Sequence, residues 1–378
     1  CRVREEFIRN FTCQSKCVYS WYVVVLIASY KPLFFEEANF LKIKWKGLVT
    51  IADSHIIRKP PWRVLFFGTD NFSLPSLKML YREVKIGRLI KRLGVVTSLK
   101  STKNPVRDFA DLHELSMFDW PLYIFSGDFD IGFVASFGHL IPERIIGSFP
   151  LGMLNVHASL LPRWRGAAPI IYAILNGDTE TGVTIMQVEP HKFDIGNIVA
   201  QESCPINLTD TGPELKAHLA EIGANLLFKT LEKLPSCVLD SVPQPASGIT
   251  YAPRVKPSLA HVDWENMSSI QVFNLYRALV GLYPLSTTWH GMHIKLLEPV
   301  LLDKTLDISE RTSNSWLLSS PGCVELDRSG RILRVLCADN KWIGFQVVRI
   351  QGRKPMSAQD FHNGFISKRS ATEWIFRG

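Results

Sequence analysis

Asn155 and His157 stand two residues apart, and a basic turn containing Gly and Pro, Pro162-Arg-Trp-Arg-Gly-Ala-Ala-Pro169, follows within a few positions. In an extended strand, side chains at i and i+2 project from the same face, so an amide and an imidazole can converge on one small reacting group. A carboxylate follows 39 residues after Asn155, at Asp194 in Phe193-Asp-Ile-Gly196, behind another apolar run. Taken singly, Asn-x-His at a strand end and Asp-x-Gly are ordinary turn chemistry. Together they supply a hydrogen-bond donor, a proton carrier and a charge that can orient it, which is the layout of a reaction centre.

The elements that must position these residues read as an α/β fold. Pro60-Pro61 opens the folded part, residues 63–67 form a buried-strand run ending at Gly68, and a helix follows from Ser73 through Leu80. Residues 94–97, 130–136 and 152–157 are further strand runs, and 175–187 reads as a turn plus a strand. Strands separated by helical stretches predict a Rossmann-like, doubly wound parallel sheet. Ligands bind beyond the carboxyl ends of the strands in such sheets, which is where Asn155 and His157 fall. Residues 213–234 form an amphipathic helix with Leu215, Leu219, Ile222, Leu226 and Leu227 on one stripe.

Residues 241–248 have the Pro, Ser and Gly content of a linker. Beyond them, 268–282 reads as a helix, and 293–297, 331–337 and 342–348 as short strands between Gly-containing turns, which suggests a small β-barrel. The expected organisation is an unassigned segment at 1–60, a catalytic domain at 61–240, a linker at 241–262 and a C-terminal domain at 263–378.

Composition narrows the class. The 378 residues are 46% apolar and 21% charged, an ordinary globular balance, and the formal net charge of +8 suits an anionic partner. From Ser241 onward Lys and Arg outnumber Asp and Glu by 16 to 11; Lys295, Arg331, Arg334, Lys341, Arg349, Arg353 and Lys354 are the candidates for a phosphate-facing surface. The seven cysteines form no Cys-x-x-Cys pair and no zinc-type set with the ten histidines, so no metal is expected and a reducing compartment is the simplest inference. The turn Gly68-Thr-Asp-Asn-Phe72 is not Gly-x-Gly-x-x-Gly, which argues against a nicotinamide cofactor. The uncharged apolar run at residues 17–30 is shorter than the ~20 residues a bilayer span needs. Glu5 and Glu6 fit poorly with an acid-poor transit peptide.

The combination of Asn155, His157, the Ser159-Leu-Leu-Pro162 turn and Asp194 resembles the folate-dependent formyltransferases. The run 162–170 is similar to the methionyl-tRNA formyltransferase version of that turn. The resemblance extends through 63–69, 135–142, 176–186 and 250–253, and so covers about Arg63 to the chain end. It implies an OB-like fold for the C-terminal barrel, 10-formyltetrahydrofolate as formyl donor, and methionyl initiator tRNA as acceptor. A monomer in the mitochondrial matrix is expected.

Under this resemblance Asn155 donates to the formyl oxygen, His157 adds oxyanion stabilisation or carries a proton, and Asp194 orients the imidazole or a water and favours its charged form. The folate slot is expected to be lined by Phe137, Gly138, Ile141, Pro142, Ser159, Leu160, Leu161, Pro162, Met186 and Val188. For the tRNA acceptor end, Lys100, Lys103 and Arg107 follow the second strand. Arg163 and Arg165 are placed to contact the terminal adenosine, with Trp164 available for stacking. Two other readings stay open: formyl transfer to a small amine or hydrolysis of the formylfolate, and an RNA-binding module with a decayed site.

Overall fold

The computed structural model describes residues 59–99, 102–122, 126–302, 320–327 and 329–378. The unassigned segment up to residue 58 and Lys100 therefore lie outside the described residues.

The first part runs β1 (Trp62–Gly68), α1 (Leu74–Ile86), β2 (Ile90–Val96), α2 (Pro105–Leu112), β3 (Ser116–Phe118), β4 (Ile131–Ala135), α3 (Glu143–Ile146), β5 (Met153–His157), α4 (Pro169–Leu175), β6 (Glu180–Gln187), β7 (Ile198–Pro205), α5 (Gly212–Glu232) and α6 (Ser236–Leu239). Its seven strands lie in the order β3-β2-β1-β4-β5-β6-β7. The first five run parallel, whereas β6 is antiparallel to both β5 and β7.

Alternation along the strands gives the sheet a core on each face. Val64 and Phe66 of β1 join the core beneath α1, α2, α4 and α5, while Leu65 and Phe67 join a smaller core with Phe137, Ile145 and Phe149 beside α3. All four β1 side chains are fully buried, each worth roughly 1.5–3 kcal/mol relative to exposure. In β5, Leu154 and Val156 face the larger core, so Asn155 and His157 open on the other side.

Helix starts are written locally. Asn104 accepts from the backbone N–H groups of Val106 and Arg107 at the head of α2, and Thr211 with Glu214 closes a capping box on α5. The latter hydrogen bonds hold the Glu214 carboxyl below the usual carboxylate range.

The second part holds α7 (Ser269–Leu279), β8 (Leu285–Trp289), β9 (Met292–Leu301), β10 (Val324–Leu326), β11 (Leu333–Leu336), β12 (Trp342–Ile350), β13 (Met356–Ser357) and α8 (Ala358–Phe361). The strands form an antiparallel sheet in the order β10-β11-β12-β9-β8, with β13 on β12. Isolated bridges pair Thr288 of β8 with Arg377, and Cys323 beside β10 with Ile375. The C-terminal segment thus bonds toward both outer strands, an arrangement compatible with the expected barrel. Trp264, Trp289, Phe345, Phe361 and Phe376 fill the centre.

Buried Arg277 of α7 ties this part to the loop before α5. Its Nε donates to Asn274 Oδ1 at 2.9 Å and its Nη1 to the carbonyls of Asn207 and Asp210 at 3.0 and 3.1 Å. Burial lowers the affinity of its guanidinium for the proton.

Candidate active site

β5 carries Asn155 and His157 to the rim of a cavity of about 830 Å³. Because β6 runs antiparallel, Asn155 pairs with Met186 and His157 with Thr184. The loop after β6 then bends back over the sheet, bringing Asp194 to His157. That bend needs Gly196, where an added Cβ would run into the carbonyl of Gln187. Asp194 itself sits at φ +56°, in the left-handed region that Asp tolerates better than most side chains.

His157 is 6% exposed, and its Nδ1 stands 3.6 Å from Asp194 Oδ1. Its Nε2 lies 3.0 Å from the carbonyl oxygen of Trp164. A carbonyl oxygen can only accept, so Nε2 carries the hydrogen and Nδ1 is the nitrogen left to exchange a proton on the Asp194 side. The other Asp194 oxygen, Oδ2, accepts the Gly166 backbone N–H at 2.8 Å. Gly166 has φ +121°, and a Cβ there would stand 2.7 Å from the Ala252 carbonyl oxygen, so the turn requires glycine. No hydrogen bond within the described residues engages the Asn155 carboxamide, which lines the cavity beside His157 and Asp194.

Of the expected folate-slot residues, Phe137, Gly138, Ile141, Met186 and Val188 line this same cavity. Phe137 is held edge-on by Phe67 and Trp120, with ring centroids 5.4 and 5.1 Å away. Pro142 is exposed at the head of α3 and does not line the cavity, and neither does the Ser159–Pro162 turn. Polar groups hold that turn: buried Ser159 Oγ donates to the Arg163 carbonyl at 2.6 Å, buried Thr184 Oγ1 donates to the Ser159 carbonyl at 2.6 Å, and Gln201 donates to the Leu161 carbonyl at 2.9 Å. In this structure Ser159, Leu160, Leu161 and Pro162 shape the wall from behind.

The Arg-Trp-Arg run differs from the expectation of free nucleotide contacts. Trp164, at φ +61°, is 6% exposed, and its indole N–H donates to Asp178 Oδ2 at 2.7 Å. The Arg163 guanidinium lies 4.4 Å over its ring and Tyr172 packs nearby, so the ring has no open face for stacking. Arg163 also grips Asp178, with Nε 2.7 Å from Oδ2, and this hydrogen bonding raises the guanidinium's already high pKa. Arg165 donates from Nε and Nη2 to Gln244 Oε1 at 3.0 and 2.7 Å. Lys103 is exposed in the turn after β2, and Arg107 on α2 bonds Asp108 at 2.7 Å.

Three features escaped the sequence reading. Gln244, inside the linker-like stretch, reaches the Asp194 loop. Residues 250–252 run alongside the active-site turn, with Thr250 Oγ1 accepting the Trp164 N–H at 2.8 Å. Lys216 of α5 bridges to Asp70 at 2.6 Å on the cavity wall. Only the run 250–253, already singled out by the family resemblance, carried a signal. No cluster of His, Cys, Asp and Glu among the described residues could hold a metal ion.

Comparison with known proteins agrees with this architecture. Residues 126–231 match the Formyl transferase family model, and residues 254–366 match that of the Formyl transferase C-terminal domain. Mitochondrial methionyl-tRNA formyltransferase of Homo sapiens is 42% identical over 85% of this chain and 84% of its own length. The Mus musculus protein of the same name is 43% identical over 83% and 81%. The methionyl-tRNA formyltransferase of Roseobacter denitrificans is 33% identical over 80% and 95%. Among solved structures, a sugar 3N-formyl transferase shares the fold with TM-score 0.56 at 17% identity, over 78% of this chain and 100% of that one.

Proposed function

The chain belongs to the methionyl-tRNA formyltransferase family, and from that premise we propose which donor it uses and how its residues carry the reaction. The enzyme formylates the amino group of methionyl initiator tRNA, the modification that readies it for translation initiation.

The donor is 10-formyltetrahydrofolate. A pteridine needs a concave, largely apolar slot, and the cavity's wall of Phe137, Ile141, Met186 and Val188 fits one. When bound, the folate supplies the formyl group; the chain's residues do the rest. Asn155, uncommitted among the described residues, donates its amide N–H to the formyl oxygen as charge develops there. The attacking amine must shed a proton and the departing folate nitrogen must gain one. His157 Nδ1 and Asp194 Oδ1, 3.6 Å apart, form the route for that proton. Nε2 keeps its own hydrogen on the Trp164 carbonyl, and so fixes the ring through the transfer. The placement of the Asn155 carboxamide beside this pair, on the cavity wall, carries the assignment.

For the RNA, Lys295 and Arg349 sit directly opposite each other on β9 and β12. Like charges in register repel, and no ion pair within the described residues offsets these two, which suits a phosphate-bearing partner. Lys103 and Arg107, after β2, belong to the acceptor-end contacts, whereas Arg163, Trp164 and Arg165 act by building the turn behind His157. The mitochondrial relatives support a mitochondrial site for the reaction.

The test is to offer the full chain labelled 10-formyltetrahydrofolate with methionyl-tRNA, free methionine, uncharged tRNA and an amino-sugar nucleotide. Label is expected on methionyl-tRNA alone. Transfer to a small amine, or release of formate without transfer, would move the substrate assignment.

A further inference from the structure

We infer that Gln244 is a positioning residue for formyl transfer, fastening the Asp194 loop to the active-site turn so that Asp194 meets His157 in register; the inference rests on the proposed catalytic role of Asp194. Its carboxamide is used from both ends. Nε2 donates to the carbonyls of Asp194 and Gly196, each at 2.9 Å, and Oε1 accepts both Arg165 hydrogen bonds. Two N–H donors and two acceptor sites are all a carboxamide offers, so this side chain is fully satisfied.

What it joins is the reacting geometry itself. Asp194 holds a left-handed backbone conformation, and such a conformation persists only where its surroundings over-determine it. Its side chain is fixed from one direction by the Gly166 N–H and its backbone from another by Gln244, which is anchored on Arg165, the residue before Gly166. The loop and the turn are therefore closed into one hydrogen-bonded ring through a residue that contacts neither His157 nor the reacting atoms. Val242, two residues earlier, exchanges backbone hydrogen bonds with Ile198 of β7 at 2.7 and 2.9 Å, so the strap has a rigid root.

The two ends of the side chain can be separated. Gln244→Glu keeps an oxygen for Arg165 but replaces both donors with an acceptor facing two carbonyls; Gln244→Ala removes both ends. In the full-length protein, steady-state formylation of methionyl-tRNA is expected to show kcat lowered roughly ten- to hundred-fold in Gln244→Glu, since an ångström of misplacement costs about that much. The KM for tRNA and the circular-dichroism melting temperature should stay near wild type. Hydrogen exchange at the Gly166 amide should quicken in the same variant, because its acceptor has loosened.

Wild-type kcat in both variants, or a kcat loss no larger than the loss of folded protein, would overturn the inference. So would unchanged Gly166 exchange in Gln244→Glu. A wild-type protein inactive on methionyl-tRNA would instead sink the functional reading, while Gly166 exchange would still report on the strap.

Discussion

With its Nε2 hydrogen committed to a backbone carbonyl, His157 has one nitrogen left for chemistry, and that nitrogen faces a carboxylate. Asn155 is the complementary case: its amide has no partner among the described residues, and a polar group left unpaired on a cavity wall is a donor held ready for a ligand. Asn155→Ala should therefore lower the single-turnover rate of formyl transfer by about 10²–10³-fold, the usual effect of deleting one oxyanion donor, with little change in thermal stability. Quench-flow on methionyl-tRNA reads the rate, and a rate within a few-fold of wild type would remove Asn155 from the mechanism. The pair Asn155 and His157 was legible in the sequence because period-two alternation alone puts them on one face. Trp164 was not, since a positive φ turns the ring inward onto Asp178, and nothing in its neighbours announces that conformation. Gln244 was hidden for a different reason: its Pro- and Ser-rich surroundings read as linker, and its partners lie 48 to 79 residues away in sequence.

Among the elements, those with strong periodicity were legible and those defined by pairing were not. The apolar stripe of α5 and the buried run of β1 match the structure, because both announce burial through local spacing. β3 has three residues and β7 ends the sheet with only Cys204 buried, so neither carries an apolar pattern of its own. The antiparallel turn of β6, which sets Met186 against Asn155, depends on long-range pairing and has no local mark. Cys337 is buried in the turn that joins β11 to β12. Burial pushes its thiol from an ordinary 9.0 up to about 12. Below pH 9 the thiol is neutral in both folded and unfolded chains, so its contribution is intact. Above pH 9 only the unfolded thiol ionises, and stability is lost as pH climbs toward 12, by about 1.4 kcal/mol per unit at the limit. Urea midpoints should fall between pH 9 and 11 in wild type and fall less in Cys337→Val; equal slopes would show that this thiol does not carry the effect.

For the molecule as a whole, the net charge of +8 read from composition makes Lys295 and Arg349 of the second sheet, which have no ion pair within the described residues, the proposed RNA-facing cations. Charge-reversing either residue, as in Lys295→Glu or Arg349→Glu, should raise the KM for methionyl-tRNA several-fold and flatten its dependence on salt, because each phosphate contact contributes about one released counterion. The turnover number at saturating tRNA should hold. A KM and salt slope equal to wild type would place the RNA on another face. Sequence could mark the second part as a set of short strands. It could not show that Arg277 ties α7 to the loop before α5, because that bond joins positions some seventy residues apart. The role of His157 is decided by the single-turnover rate of formyl transfer to methionyl-tRNA in full-length His157→Ala, with folate affinity measured alongside. A rate about 10²–10⁴-fold below wild type, with folate still bound, is expected; a wild-type rate in that variant would show that His157 does not carry the transfer.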